Sequence, residues 1–568
     1  MKQTSEELQR ENGQLKHIFT SISKAPETEA FEALRRVGAQ GDNPLLALGA
    51  VVDAGFLRQP ITTVDGEVKR IDNEALAESR HKLPAKPWTS VAGDGLVSHL
   101  ISDYLSRDEQ DPFVHCLLLL DSELFLRDMK RGDLANSQFC SPFLVNTICG
   151  LRSLFSERVR QINAATGTDL TKRFAAEAKK HFEIEADKRR VTTLQSLYYF
   201  FLFTCHLSTN RAGSLYRLAA LDYIQNSDVE KVVLMKPRSS NPEDANKRRA
   251  LFKTYWAIFN FECILCSTYL KAPAIKGLPL TPLPSYGPDT ILNPVNPLSL
   301  LPPPNSFPSV NEISHLQYRA MSYNMKPQMP VGEEPDVVPR RHLLYELSQL
   351  EGRLIPVPHD MYTEDSIVIQ TKVYLDMVAY NVLRPLPSMT TIHVGDTITT
   401  ARAHLLALAT TDITLMHTYL TKRATPQYSP AIVIPLWSAV FTFIPFLDDI
   451  STHAAFTSGC ALLHDFERNM HGIRTFRRGV LAVSWRIGMP LPQSALQYLE
   501  GLEDEVRTGQ VELREVPVDF VIALPREVLT RVLGKEGENA GGLDLGAVLG
   551  EWGEELLRTK LPFKQENY

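Results

Sequence analysis

The chain has 568 residues, a net charge of −6, and 44% hydrophobic and 22% charged residues, the balance of a globular protein. A surface that grips nucleic acid along its length is normally basic, because neutralised phosphates supply most of that affinity, so this composition argues against one. The seven cysteines are an odd number set mostly in apolar runs, which is intracellular usage and excludes a disulfide framework.

The first thirty residues read as a helix with a seam. Leu8, Asn12, Leu15, Phe19 and Ile22 are spaced four, three, four and three, the a/d rhythm of a coiled coil, with an Asn where it fixes register and two-strandedness. Two readings fit: a dimer seam, or a lone amphipathic helix folded onto the body. Short helices are predicted over 27–37 and 44–54. Asp65-Gly66 between short alternating flanks suggests a small hairpin over Thr62–Lys69, and the polar stretch 66–87 reads as linker.

From about Gly93 the texture becomes densely helical. Val97, Leu100, Ile101 and Leu105 share one face. Helices are expected over Phe143–Val159, Leu170–Ile184, Thr193–His206, Gly213–Ile224 and Arg248–Leu270. Strand signals are nearly absent, so the expected fold is all-α, helix packed on helix. Eleven of the 37 prolines lie between Pro273 and Pro308, which predicts an extended loop. Helical texture resumes at His342–Glu351, Ile367–Leu383, Thr397–Lys422, Ile432–Phe446, His453–Met470, Gly479–Trp485 and Gln493–Val506. The last sixty residues are charged, with Gly541-Gly542, and read as a weakly attached tail. Ala431–Leu447 is apolar for seventeen residues but carries Pro435 and Pro445, short of the roughly 20 a bilayer needs, so a core helix is expected and no membrane partner.

Signatures of catalysis are missing: no phosphate loop, no Gly-x-Ser-x-Gly elbow and no His-Glu-x-x-His. Cys263-x-x-Cys266 lacks a second pair at zinc spacing and reads as buried apolar surface. Asp449, His453, Cys460 and His464 fall on one face if a single helix carries them, and these residue types ligate transition metals. A partly polar packing face is the preferred reading, with no metal or other cofactor expected. Lys188-Arg189-Arg190, Lys247-Arg248-Arg249 and Arg477-Arg478 flank predicted helices and read as solvated basic ends.

Several segments, taken in order, resemble fungal transcription factors of the binuclear zinc-cluster class and their fungal-specific regulatory (middle homology) domain. LQRENGQLKHIF resembles the coiled coil that follows the zinc cluster. EAFEALRRVGAQGDNPLLAL resembles the linker next in line. PAKPWTSVAGDGLVSHLISDY, with Trp88, is similar to a recurrent entry segment. DSELFLRD (121–128), with CSPFLVN (140–146), is the closest local match. EAKKHFEIEADKRRVTTLQSLYYFFLF matches the central helix pair, and VLRPL (382–386) a recurring helix end. The likeness covers most of residues 5–275. It departs at Gly213-Ser214 for the usual Gly-Trp, at Glu262-Cys263 for Asp-Arg, and at Lys271-Ala272-Pro273 for Gly-Arg-Pro. No six-cysteine cluster stands among these residues.

The resemblance implies a coiled-coil dimerisation segment over 1–24 and a linker over 25–90. The regulatory domain follows in two helical parts, 91–272 and 341–506, separated by a Pro-rich loop (273–340) and ending in a tail (507–568). It implies a nuclear, non-enzymatic transcription regulator that forms a homodimer, or a heterodimer with a related zinc-cluster factor, and meets transcription co-regulators. DNA would be contacted only through a missing or trans-supplied module, and zinc is expected only there. Two alternatives remain open at this point: a scaffold that offers its Pro-rich loop to a partner's aromatic groove, and a metal-dependent enzyme built on 449–464.

Overall fold

The computed structural model describes residues 61–110, 118–207, 210–227, 242–271, 273–279, 307–325, 331–355, 366–394, 397–422, 430–467, 472–511, 520–534 and 541–558, with a few single positions between. The proposed seam residues Leu8, Asn12, Leu15, Phe19 and Ile22 lie outside them. Two compact units are distinguished, 1–74 with 161–168, and 75–160 with 169–568.

Twenty α-helices and two small antiparallel sheets are found among the described residues, so the fold is all-α. In order the helices are α1 (Ile61–Glu78), α2 (Asp94–Gln110), α3 (Ser122–Arg131), α4 (Pro142–Ser153), α5 (Glu157–Thr166), α6 (Leu170–Glu185), α7 (Val191–His206), α8 (Asn210–Asn226) and α9 (Pro242–Tyr269). Next come α10 (Phe307–Asn324), α11 (Glu334–Leu354), α12 (Ser366–Leu383), the hairpin β1 (Thr391–Val394) and β2 (Thr397–Thr400), α13 (Ala401–Lys422), α14 (Pro430–Phe443), α15 (His453–Glu467) and α16 (Ile473–Ile487). The chain closes with α17 (Gln493–Leu496), α18 (Leu502–Arg507), β3 (Val521–Ile522), α19 (Arg526–Leu533), β4 (Leu543–Asp544) and α20 (Leu545–Arg558).

The first unit's described residues are largely parts of α1 and α5. In α1, Arg70 pairs with Glu67 and Glu74, each at 2.6 Å, the i,i+3 and i,i+4 geometry that supports a helix. The hairpin expected over Thr62–Lys69 is therefore a helix, with Gly66 inside it.

In the second unit the helix ends are well specified. Asp121 caps α3 by accepting from the Leu124 N–H (3.1 Å), and Gly132 closes it in the left-handed conformation, φ 65°. Ser141 caps α4, with Pro142 at its first position. The single helix expected over Phe143–Val159 breaks after Ser153, and α5 starts at Glu157. Gly213 lets α8 approach α7: a Cβ there would stand 2.0 Å from the Thr204 hydroxyl.

Three further expectations are corrected. The Pro-rich loop does not reach residue 340, because α10 begins at Phe307 and α11 at Glu334. β1 and β2 pair antiparallel, Thr391 opposite Thr400, where a helix had been expected from Thr397. The described end of the tail, 545–558, is not loosely held. Leu545, Val548, Leu549, Trp552 and Leu556 form a buried stripe on α20, packed on α16, as a 3.6-residue period requires. Pro430–Phe443 and the short turn Ile444–Phe446 hold the apolar run, and among the described residues no helix is long and apolar enough to cross a membrane.

Candidate functional site: a buried charge column

α12 is buried almost all round, yet carries Lys372 and Asp376, and Arg384 follows it. Residues four apart on a helix lie one above the other, so Lys372, Asp376, Tyr380 and Arg384 form a column. Neighbouring helices complete it: Glu351 from α11, Asp412 from α13, and Ser438 and Thr442 from α14.

At one end, Lys372 Nζ sits 2.6 Å from Asp376 Oδ1 and 3.0 Å from Glu351 Oε1. At the other, Arg384 Nη2 donates to Ser438 O and Thr442 Oγ1, each at 2.8 Å, and its guanidinium lies 4.5 Å from the centre of the Tyr380 ring. Between them the Tyr380 hydroxyl donates to Asp412 Oδ2 at 2.6 Å. Among the described residues no donor reaches Asp376 Oδ2 or Asp412 Oδ1, both buried, and each carboxyl shifts the other's protonation. Two carboxylates only accept, so a bond between them requires a shared proton.

The charges locate that proton. Burial, then the Asp376 charge, pushes Asp412 well above the carboxylate range. Burial also raises Asp376, but Lys372 opposes the rise. Burial works against the Lys372 ammonium, and Asp376 and Glu351 more than offset it, leaving its pKa raised. The Arg384 guanidinium is drawn down to about 10 by burial. With Asp412 protonated, Lys372 and Arg384 balance Glu351 and Asp376. With Asp412 ionised, the interior would hold an uncompensated negative charge, which is expensive at low dielectric. The proton belongs to Asp412, and the order is Tyr380 hydroxyl, neutral Asp412, anionic Asp376, cationic Lys372, surface-facing Glu351. Chemically the column stores a proton and fixes how α11, α12, α13 and α14 pack, with Asp376 and Asp412 buried.

The sequence singled out none of these as site residues: Glu351 entered only as a helix bound and Arg384 only within VLRPL. The signal was there in part: Lys372, Asp376, Tyr380 and Arg384 at intervals of four inside an apolar run. Asp412 is a single acid within a polar-flecked helix and carries no local signal.

The residues the sequence did single out are placed as follows. Asp449, His453, Cys460 and His464 do not share one helix, since the turn Ile450–Thr452 separates Asp449 from α15. Asp449 accepts from the Ser451 N–H (3.1 Å) and hydroxyl (2.6 Å), and His453 Nε2 is 2.9 Å from Leu447 O. Cys460 is buried, which pushes its thiol up to about 12. Among the described residues no three His, Cys, Asp or Glu side chains are placed to hold a metal. Cys263 and Cys266 are buried, the Cys266 Sγ 3.0 Å from Cys263 O. Arg249 pairs with Asp121 (2.7 Å) and Glu123 (3.0 Å). Arg477 and Arg478 are not solvated ends; both are buried and paired with Glu467 and Glu505 respectively.

Two of the segments that carry the family resemblance, 84–104 and 140–146, are joined at Trp88 and Thr89. The Trp88 indole N–H donates to Met129 O (2.9 Å), and the Trp88 carbonyl accepts from Asn146 Nδ2 (3.1 Å). Thr89 donates to Asn146 Oδ1 at 2.7 Å. Ser98 exchanges hydrogen bonds with both backbone groups of Leu83. Asp128 accepts from the Gln138 and Phe139 N–H groups, each at 2.8 Å. Gln195 Nε2 donates to Leu119 O at 2.9 Å. The segment expected to be linker up to residue 90 thus supplies the centre of this hub. Glu262, at a departure from the family pattern, is fully buried; it pairs with Arg217 at 2.6 Å and accepts from Tyr198 at 2.8 Å.

No family model, no curated protein and no solved structure matches the chain.

Proposed function

We propose that this chain is the helical regulatory body of a fungal transcription regulator of the binuclear zinc-cluster class, nuclear and without enzymatic activity. It acts as a dimer, and DNA is reached through the zinc cluster of a related factor or a separately supplied module. The observation that carries this reading is the hub around Trp88. The entry segment (84–104), DSELFLRD, CSPFLVN and the Thr192–Gln195 turn resemble the family in the same order. The entry segment and CSPFLVN are also joined by specific buried hydrogen bonds of Trp88 and Thr89 with Asn146, as elements of one domain should be. The all-α architecture agrees with a regulatory body of that kind.

The test is to tether the whole chain to an unrelated DNA-binding domain in a fungal host with a matching reporter, and to follow a fluorescent fusion alongside. The expected outcome is nuclear accumulation and a severalfold change in reporter output, in either direction. A flat reporter together with exclusion from the nucleus overturns the proposal.

A further inference from the structure

α10 packs between α9 and α12, and its inner face is polar at every third residue: Asn311, Ser314 and Gln317, all at least nine-tenths buried. Asn311 has a partner, since its Oδ1 accepts from Asn260 Nδ2 on α9 at 2.8 Å. Gln317 differs. Among the described residues neither its Nε2 nor its Oε1 has a hydrogen-bond partner, and both are buried; leaving a carboxamide unsatisfied in the interior is strongly unfavourable. The same amide lines a small cavity. Its other walls include Ile264, Ile313, Ser314, Tyr374 and Met377. The cavity volume is about 10 Å³, at the threshold for holding a single water, and a water there needs at least two polar partners.

We propose that this cavity is a binding site for one water molecule held by Gln317. A primary amide suits such a role, because one N–H donates to the water oxygen while a water O–H donates back to the amide carbonyl, closing a ring. Ser314 also lines the cavity. The volume leaves no room for a larger alcohol or amide unless the helices separate. With the Asn260–Asn311 bond nearby on the same face of α10, the water makes the α9–α10–α12 contact a hydrated polar seam within apolar packing. This seam lies where the first helical part meets the second.

The test is a crystal structure of the full chain at a resolution that shows ordered solvent, with Gln317→Met and Gln317→Leu measured beside it. Expected is one spherical peak within hydrogen-bond distance of the Gln317 amide, lost in both variants. The melting temperatures of the variants should equal or exceed that of the parent, because apolar side chains of similar size leave no unsatisfied group. A dry cavity with the Gln317 amide bonded directly to protein atoms overturns the proposal. So does a peak that persists in Gln317→Met, which would place the water on other partners.

Discussion

Between α4 and α8 the interior is made of rings. Phe143 lies 5.7 Å from Phe182 and 5.8 Å from Phe200, and Phe200 stands edge-on to Tyr216 at 4.7 Å. Around α12 the interior holds a buried lysine and two buried aspartic acids, with the Arg384 guanidinium stacked on Tyr380 beside them. Aromatic packing is specified by shape and tolerates no wrong rotamer. A buried charge column is specified by pairing, and every member depends on its neighbour's protonation. The two parts of the body should therefore fail differently: the first by losing volume, the second by losing charge balance.

The largest expected effect tests the second kind of failure. Asp376→Ala removes the carboxylate on which buried Lys372 and neutral Asp412 both lean, and should cost about 3–5 kcal/mol in denaturant unfolding. A loss under about 1 kcal/mol would mean that water or Glu351 alone satisfies the ammonium. Trp552→Ala tests volume, in the segment that reads as a tail in the sequence. Truncating this fully buried indole on α20 should cost about 3–5 kcal/mol and loosen α16 with it. An unchanged midpoint would return residues 545–558 to the status of an appendage.

Those two variants also mark how far the sequence was readable. The first part of the body was legible where its helices carry strong apolar periods, but α3, capped by Asp121 and Gly132, and the break after Ser153 were not read from the sequence. α20 has an equally clear stripe, Leu545, Val548, Leu549, Trp552 and Leu556, but surrounding glutamates and Gly541-Gly542 hid it. The hairpin was written plainly, as Ile392-His-Val-Gly-Asp-Thr-Ile-Thr399 alternates about a Gly-Asp pair, and was absorbed into the helix that follows. α10 was lost in the shadow of the prolines before it. For the site the limit is deeper. Intervals of four place Lys372, Asp376, Tyr380 and Arg384 on one line, but that Asp412 faces them from α13 is tertiary information. No local rule says which distant acid will sit on which helix, so the shared proton could not be read in advance.

Acid should expose a weakness of the ring-packed part. His206 stands edge-on to Phe155 at 5.6 Å. Burial, then the Arg152 charge, pulls it from 6.5 to about 4. A base with a depressed value is neutral in the folded state. Its contribution is full above 6.5 and is lost as pH falls from there toward about 4, at up to about 1.4 kcal/mol per pH unit. Unfolding curves between pH 7 and 4 should show this loss, and His206→Phe should flatten it. An identical acid limb in the variant would assign the loss to other groups.

The smallest expected effect is the most discriminating for the charge column. If Asp412 holds the shared proton, it behaves as a neutral acid: its oxygen accepts from Tyr380 and its O–H donates to Asp376. Asparagine can copy both bonds with an oxygen and an N–H, so Asp412→Asn should stay within about 1 kcal/mol of the parent at neutral pH. The sign of the pH dependence then separates the cases. Asp412 is raised above its ordinary 3.8, so the stability tied to its proton is full below that value and is lost as pH rises through the raised one. Asp412→Asn carries no proton to lose, and its stability should fall less steeply with rising pH than the parent's. A loss as large as that of Asp376→Ala would instead show that both carboxyls are ionised in the fold, and the column would have to be redrawn with a third cation.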